Sequence, residues 1–149
     1  MTENKEKRNF KPVVGLAAVS LLVCGLLFPL FVTGIAQVLF PYQANGEIVQ
    51  LDGKAVGSNL IAQNFTLPIF FYPRNDSASG VDPDITVQDA YSQIPRISNT
   101  TGISPTALTN IANQNQEGAL WIFGNPYVNV LRINLELIKA YPEIYTEYG

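Results

Sequence analysis

The sequence contains no histidine and a single cysteine, Cys24, among its 149 residues. Without histidine there is no Ser-His-Asp triad, no Cys-His nucleophile pair and no imidazole acid or base near neutral pH. A single cysteine excludes a disulfide within this chain and a CxxC redox pair. Catalysis by carboxylate pairs or by lysine stays open, but most hydrolase templates are excluded.

Charge is also scarce, since 14% of the residues are charged against a usual ~25%. The apolar residues are distributed unevenly. Residues 13–40 are 28 consecutive positions without charge, and 21 of them are apolar. At ~1.5 Å per residue a helix of this length reaches ~42 Å, more than the ~30 Å hydrocarbon core of a bilayer. We therefore predict one transmembrane helix over residues 13–40.

A cleaved signal peptide is the alternative for this segment. Gly34 and Ala36 would supply small residues before a cut at Gln37. The apolar run before that cut is much longer than the usual ~7–15-residue core of a signal peptide. We expect the anchor to be retained.

The charge distribution predicts the orientation in the membrane. Lys5, Lys7, Arg8 and Lys11 precede the apolar run, and cytoplasmic flanks are those rich in Lys and Arg. Residues 1–12 are therefore predicted to be cytoplasmic, and the C-terminal region after residue 40 to lie outside. That region has five basic and ten acidic residues and no basic cluster, which disfavours nucleic-acid binding.

Gly25, Pro29, Thr33 and Gln37 lie four residues apart within the predicted span. On a helix this spacing gives a slowly drifting stripe, and small or polar residues in such stripes pack against neighbouring membrane helices. Pro29 is expected to kink the helix. The alternative is that these residue types are simply common in single-pass helices. No ionisable group lies in the span to mark an ion path.

Residues 41–138 are predicted to form a small α+β domain outside the membrane, followed by a peripheral C-terminal tail over residues 139–149. Asp52-Gly53 predicts a two-residue hairpin turn between strands at 47–51 and 54–56. The aromatic run at 68–72 predicts a further strand. Apolar and polar residues alternate over 131–137, which favours another strand. A helix with Leu131, Leu135 and Ile138 facing inward is the alternative there.

About two helices are expected between these strands. Thr86, with Asp89 three residues later, has the form of a capping box. Pro95 is expected to end or bend the helix that follows. Ser104-Pro105 predicts the start of a second helix, which Gly118 is expected to end.

Candidate chemistry in this domain is limited. Asp82-Pro83-Asp84, with Asp76 and Asp89, allows a hard-cation site or a carboxylate pair, although a proline turn with solvated acids is the favoured interpretation. Residues 77–80 contain small residues and glycine but lack the lysine of a P-loop. Trp121 and Phe123 allow stacking on a sugar or a base, with packing favoured.

Three triplets match the N-glycosylation pattern, and they begin at Asn64, Asn75 and Asn99. All three fall on the predicted outside. Such triplets also arise by chance in a chain rich in asparagine, so they support the orientation only slightly.

Several short motifs, in a fixed order, go further than composition. The series resembles the KdpC subunit family of the Kdp potassium-transporting P-type ATPase, over residues 28 to 137. The matching residues are Phe28-Pro29 and segments 32–37, 40–46, 57–65, 77–83, 93–96 and 124–131, with Asn134-Leu135. Two departures are visible. The family usually carries a substantial segment between its Phe/Tyr-Arg and Ser-Ala-Ser-Gly blocks, whereas here Phe71-Tyr72-Pro73-Arg74 nearly adjoins Ser77. Asp84 stands where the family often has histidine.

The resemblance implies an accessory subunit with no turnover of its own, which binds no cofactor or metal itself. It implies a KdpA-like potassium channel subunit, a KdpB-like ATPase subunit, a KdpF-like small subunit and membrane lipid as partners, with ATP and K+ handled by the complex. It also implies that the loop containing Ser77, Ser79, Gly80 and Asp82 contacts nucleotide or a partner, in the role of a catalytic chaperone that raises the ATP affinity of the ATPase subunit. The orientation predicted above places this loop outside, whereas ATP is cytoplasmic, so we expect a partner contact.

A pilin-like or adhesive surface glycoprotein is the rival function class. Pilins also begin with a basic leader and a long apolar helix, but they place glutamate at the fifth mature position. With Leu16 as the first mature residue, that position is Ser20.

Overall fold

The computed structural model describes residues 10–74, 76, 79–118 and 124–147. Trp121, Phe123, Ser77 and Asn75, which the sequence singled out, lie outside these ranges. The chain divides into two compact units, Met1–Asn45 and Gly46–Gly149. Each unit is described by itself.

The first unit is dominated by one apolar helix of 29 residues, Lys11–Leu39, with none of its most apolar window buried. It is the one helix among the described residues that is long and apolar enough to cross a membrane. It comprises α1 (Lys11–Leu22), a π-helical turn (Val23–Leu27) and α2 (Phe28–Leu39). The short helix α3 (Pro41–Ala44) follows.

Proline explains the π turn and the end of α2. The ring of Pro29 would clash with the carbonyl four residues earlier, and Pro29 has no N–H to donate to it. The chain widens just before this residue, where the Phe28 N–H donates to the carbonyl of Val23, five residues back. Pro41 similarly disfavours helical angles at Phe40, which adopts φ −137° and ψ 57°.

The second unit begins with the predicted hairpin, β1 (Ile48–Leu51) and β2 (Lys54–Ser58), which is confirmed. Its two turn residues, Asp52 and Gly53, both have positive φ, 50° and 78°. Positive φ at both positions gives the turn the twist that two-residue hairpins require. A register irregularity lies between Val49 and Gln50.

A second, three-stranded antiparallel sheet consists of β3 (Asp84–Thr86), β4 (Gln116–Glu117) and β5 (Tyr127–Asn129), with β5 in the centre. Three helices pack with it, one more than expected: α4 (Val87–Thr101), α5 (Pro105–Gln114) and α6 (Val130–Ala140). The α+β character of this region is confirmed.

The predicted starts of α4 and α5 are confirmed. Thr86 Oγ1 accepts from the Asp89 N–H at 3.0 Å and donates to Asp89 Oδ2 at 2.7 Å. Ser104 Oγ accepts from the Ala107 N–H at 3.3 Å. Pro95 does not end α4, and α5 ends earlier than expected. α4 continues through Pro95 to Thr101, because Ile94 and Ile97 are buried on either side of it and offset one lost hydrogen bond. α5 ends at Gln114, before Gly118.

The strand predicted at 131–137 is wrong, since these residues lie in α6, and the alternative helix is the correct interpretation. Asn129 caps this helix by accepting from the Arg132 N–H at 3.2 Å. The alternation of apolar and polar residues suggested a strand because α6 is buried on most of its surface. Its apolar residues therefore lie around most of the helix and not along one narrow face. Its buried residues are Val130, Leu131, Ile133, Asn134, Leu135, Leu137 and Ile138.

Two further expectations are wrong. Residues 68–72 form no strand, although Phe70 and Phe71 are buried in the core. The C-terminal segment is not peripheral, because the Tyr145 side chain is fully buried and its ring lies 5.3 Å from that of Phe70. The Tyr145 hydroxyl donates to the Ile69 carbonyl at 2.9 Å. Burial raises the pKa of this phenol to about 12, with a smaller contribution from Tyr141.

Candidate functional site

Polar side chains hold the backbone of residues 68–72 in the second unit, and we call Gln93, Arg96, Asn134 and Tyr145 the polar clamp. Asn134 is fully buried in α6. Its Oδ1 accepts from the Phe71 N–H at 2.8 Å, and its Nδ2 donates to the Phe71 carbonyl at 2.9 Å. A single amide thus satisfies both backbone groups of Phe71, as a neighbouring strand would.

Gln93 repeats this pattern one residue later. Its Oε1 accepts from the Tyr72 N–H at 2.8 Å, and its Nε2 donates to the Tyr72 carbonyl at 3.2 Å. Arg96, one helical turn later in α4, donates to the carbonyls of Pro68 at 2.6 Å and Phe70 at 3.0 Å. Its guanidinium also lies 3.8 Å from the centre of the Tyr72 ring, which adds a cation–π contact. These contacts explain why an aromatic, strand-like run forms no strand: its backbone partners are side chains.

Asn129 connects three other segments of the same unit. Its Nδ2 donates to the Asn59 carbonyl at 2.9 Å and to Asp84 Oδ1 at 3.0 Å, while its Oδ1 caps α6. Asn59 directly follows the hairpin, and Asp84 begins β3. The Asn129 amide therefore connects the end of the hairpin, strand β3 and helix α6 at one buried point.

Asp84, at the position where the family often has histidine, is half-buried beside Asn129. Burial raises the pKa of its carboxyl, and nearby Asp82 adds to this, while the Asn129 hydrogen bond and Arg132 act in the opposite direction. Arg132 itself pairs with Glu117 of β4.

The four acids proposed from the sequence as a cation site have separate local roles. Asp82 Oδ1 accepts from the Asp84 N–H at 3.1 Å, which makes the proline turn favoured above. Asp89 belongs to the α4 cap, and Asp76 pairs with Arg74 at 3.1 Å, a contact that lowers the pKa of the Asp76 carboxyl. Among the described residues, no three acidic, histidine or cysteine side chains are grouped to hold a metal ion.

The family-motif loop is the loop that contains Ser77, Ser79, Gly80 and Asp82; of its described residues, Ser79 and Gly80 are exposed and Asp82 is partly buried. Ser79 Oγ accepts from the Val81 N–H at 3.4 Å, and Gly80 has φ +68°. The Val81 carbonyl accepts from the Ala62 N–H at 3.0 Å, which ties the loop to the segment after the hairpin. Of the glycosylation candidates within the described ranges, Asn64 is exposed in a loop and Asn99 is exposed on α4.

Two concave regions adjoin this framework. An apolar cavity of about 290 Å³ lies between the hairpin, α6 and the loop around Phe65. A more polar cleft of about 500 Å³ lies beside Arg74. The cleft is lined by Tyr72, Pro73, Arg74, Asp76, Ile85, Thr86, Asp89, Ser92 and Gln93.

In the first unit, the stripe predicted on the membrane helix is interrupted. Gly25 lies in the π turn, so the four-residue spacing from Gly25 to Pro29 crosses a widened turn, whereas Pro29, Thr33 and Gln37 share α2. Gln37 has a partner within its own chain. Its amide exchanges two hydrogen bonds with the amide of Asn45, at 3.2 and 3.3 Å, and Asn45 also donates to the Pro41 carbonyl at 2.6 Å.

A single long apolar helix joined to a small α+β domain defines this chain as a membrane-associated protein. The model of the family described as KdpC, the c chain of the K+-transporting ATPase, matches residues 10–77 and 75–139. The chain belongs to this family, and it is therefore an accessory subunit of a potassium-transporting ATPase.

Curated relatives agree. The potassium-transporting ATPase KdpC subunit of Caldanaerobacter subterraneus is 31% identical, with 87% of this chain and 94% of the relative covered. KdpC subunit 2 of Staphylococcus aureus is 30% identical over 85% of this chain and 96% of the relative. The KdpC subunit of Dechloromonas aromatica is 31% identical over 88% and 97%.

The comparisons also locate the shortened middle. The two matched segments of the family model meet at residues 75–77. The alignment with the Caldanaerobacter relative spans 181 positions, but 87% of 149 residues is about 130, so about 50 positions have no counterpart here. The Arg74–Asp76 ion pair lies at this junction.

The sequence identified the motifs but not the polar clamp within them. Gln93 and Arg96 belong to the motif at 93–96, and Asn134 belongs to the matched pair Asn134-Leu135. The available signal was Asn134 itself, an amide between Ile133 and Leu135. Such a residue, when buried, needs partners for all its polar atoms.

The clamp generates a stability prediction. Asn134→Leu keeps a similar side-chain size but leaves the buried N–H and carbonyl of Phe71 unpaired, which costs about 1–3 kcal/mol for each group. We expect a loss of about 2–5 kcal/mol of unfolding free energy, measured by urea denaturation of the full chain in detergent. Asn110→Leu, at an exposed position of α5, is the matched control and should change stability little. Equal effects of the two substitutions would contradict the role given to the Asn134 amide.

Asp84 generates a pH prediction. Its raised folded pKa means that the folded chain binds this proton more tightly than the unfolded chain, so this carboxyl destabilises the fold as pH rises above the ordinary value of 3.8. Asn at this position keeps an acceptor for Asn129 and carries no charge. We expect Asp84→Asn to be at least as stable as the parent at pH 7, with the difference shrinking toward pH 4. Asp52→Asn, at the exposed hairpin turn, is the control. A clear loss of stability in Asp84→Asn at pH 7 would show that the ionised carboxylate is required.

Proposed function

We propose that this chain is a non-catalytic, single-span subunit that assembles and stabilises the channel-like and ATPase subunits of a potassium uptake complex. The observation that carries the proposal is the 29-residue apolar helix in a chain of the KdpC family. Its side chains are exposed along its length. Such a helix needs lipid and neighbouring helices to cover it.

The orientation proposed from charge places the N-terminus in the cytoplasm and the second unit outside. The first eleven positions, which end at the first residue of the helix, contain four basic residues and two acidic ones. The region after residue 40 carries a net charge of −5 from its five basic and ten acidic residues. The excess of Lys and Arg on the N-terminal flank favours this orientation.

We assign the family-motif loop to partner contact rather than to nucleotide. The charged residues described around it are the acids Asp76, Asp82 and Asp84 and one cation, Arg74, which is already paired with Asp76. The negative electrostatic potential of these carboxylates would repel a nucleotide triphosphate. Exposed apolar side chains lie beside the loop, namely Leu60, Ile61 and Val81, joined through the Ala62–Val81 backbone contact. Such a group of side chains suits burial against a protein partner.

Co-purification tests the assembly role. The full chain, tagged and expressed with its genomic partner subunits, should retain a large P-type ATPase and a polytopic channel-like protein in mild detergent. Ile61→Asp and Val81→Asp place a charge in the proposed contact and should reduce this retention several-fold. Thr106→Asp, at an exposed position in the first turn of α5, is the control.

Two outcomes would count against the proposal. An isolated chain, with neither partner retained, would overturn the assembly role and favour a stand-alone surface protein. Retention that is equal in all three variants would preserve the assembly role but remove Ile61 and Val81 from the contact.

The negative charge of the second unit supports a further role, a modest increase of cation concentration near the ion entry. The acids near the motif loop have structural roles, so exposed acids outside it provide the better test. Asp52→Asn with Glu143→Gln and Glu147→Gln should raise the potassium concentration for half-maximal ATPase activity of the complex. The effect should be roughly 2-fold or less at low salt and should disappear where the screening length falls to ~8–10 Å. Lys54→Gln should act in the opposite direction. Unchanged potassium dependence at low salt in all variants would refute this role.

A further inference from the structure

The π turn in the first unit leaves one backbone carbonyl without its usual donor. In a regular α-helix the Phe28 N–H would donate to the carbonyl of Cys24. Here it donates to the carbonyl of Val23. The next residue that could serve Cys24 is Pro29, which has no N–H. The helix backbone therefore offers no donor to the carbonyl of Cys24.

Side chains of the same helix do not replace the missing donor. A helical side chain can reach back to the carbonyl three or four residues before it, because side chains point toward the N-terminus. The residues at those positions relative to Cys24 are Leu27 and Phe28, which are apolar. Ser20 precedes Cys24 and points away from its carbonyl.

The surface next to this carbonyl is open. Gly25 has no side chain, and a Cβ added there would meet only Leu21 Cγ, at 4.0 Å. The Gly25 carbonyl has also lost its ordinary donor, since the residue four positions later is Pro29. The backbone beside the Cys24 carbonyl is therefore open to close approach by a neighbouring helix.

The position of the turn along the helix makes the unpaired carbonyl costly. Gly25 is the midpoint of the Lys11–Leu39 helix. In a membrane-spanning orientation this point lies at the centre of the hydrocarbon core, where no water replaces the missing donor and an unpaired group costs several kcal/mol.

We propose that the Cys24 carbonyl, with Gly25 beside it, is the acceptor for a hydroxyl or amide side chain on a transmembrane helix of a partner subunit. The inference rests on the proposed function, in which this helix packs laterally in the complex. Neutral donors are the groups that join membrane helices, whereas a charged donor at this depth carries a much larger cost. Glycine at the contact permits the close approach that such a hydrogen bond needs.

The chain's single cysteine allows a direct test. Biosynthetic incorporation of cysteine labelled with ¹³C and ¹⁸O at its carbonyl labels one peptide group, that of Cys24. The labelled full chain is reconstituted in bilayers, and its isotope-shifted amide I band is recorded before and after addition of the unlabelled partner subunits. We expect the band to move to lower frequency on assembly, as a free carbonyl becomes hydrogen-bonded.

The outcomes separate this inference from the proposed function. An unchanged band in a sample whose partners still co-purify would overturn the inference and leave the assembly role intact. Absence of co-purification would overturn the assembly role itself.

Substitutions provide an independent readout. Gly25→Leu covers the acceptor and should weaken partner retention roughly 3- to 15-fold, the range that one hydrogen bond between membrane helices supplies. Gly15→Leu is the matched control, because Gly15 also has open space around it but lies in regular α-helix. Pro29→Ala supplies the missing N–H, so the band should no longer shift on assembly. Equal retention of Gly25→Leu and Gly15→Leu would contradict the inference.

Discussion

The buried amide of Asn134 is the contact on which the second unit depends. It satisfies both backbone groups of Phe71, so that a segment without strand partners can lie in the core. Buried backbone groups cost too much to leave unpaired, and side chains from α4, α6 and the C-terminal segment supply what a sheet would otherwise provide. The aromatic residues of this segment then complete the core, together with Tyr145.

In the first unit, two prolines determine the course of the backbone. Pro29 enforces a widened turn at the middle of an apolar helix, and Pro41 ends that helix. The amides of Gln37 and Asn45 close the resulting end within the chain. The amides of Gln37 and Asn45 are paired with each other, whereas the Cys24 carbonyl at the π turn is the group that we propose is paired with another molecule.

The shortened middle of the chain leaves this framework intact. The two segments matched by the family model meet at residues 75–77, beyond the last residue held by the polar clamp, and Arg74 and Asp76 form an ion pair at this junction. A surface insertion or deletion between fixed ends changes loop entropy only slowly with length. The residues that hold the framework lie on either side of this point in the sequence. They are the polar clamp, Asn129 with its hydrogen-bond partners, and the caps of α4 and α6.

The local features can be predicted from the sequence: the long apolar helix, the Asp52-Gly53 hairpin, the caps at Thr86 and Ser104, and the ordered motifs that indicate the family. Each depends on residues within a few positions of one another. Tertiary structure alone decided that residues 131–137 are helical, that residues 68–72 form no strand, and that Tyr145 is buried. These outcomes depend on contacts between residues 63 to 76 positions apart, as between Phe71 and Asn134 or Ile69 and Tyr145. The spacing of apolar residues indicates which face of a segment is buried. It does not indicate which groups form hydrogen bonds with the N–H and carbonyl groups of that segment's backbone.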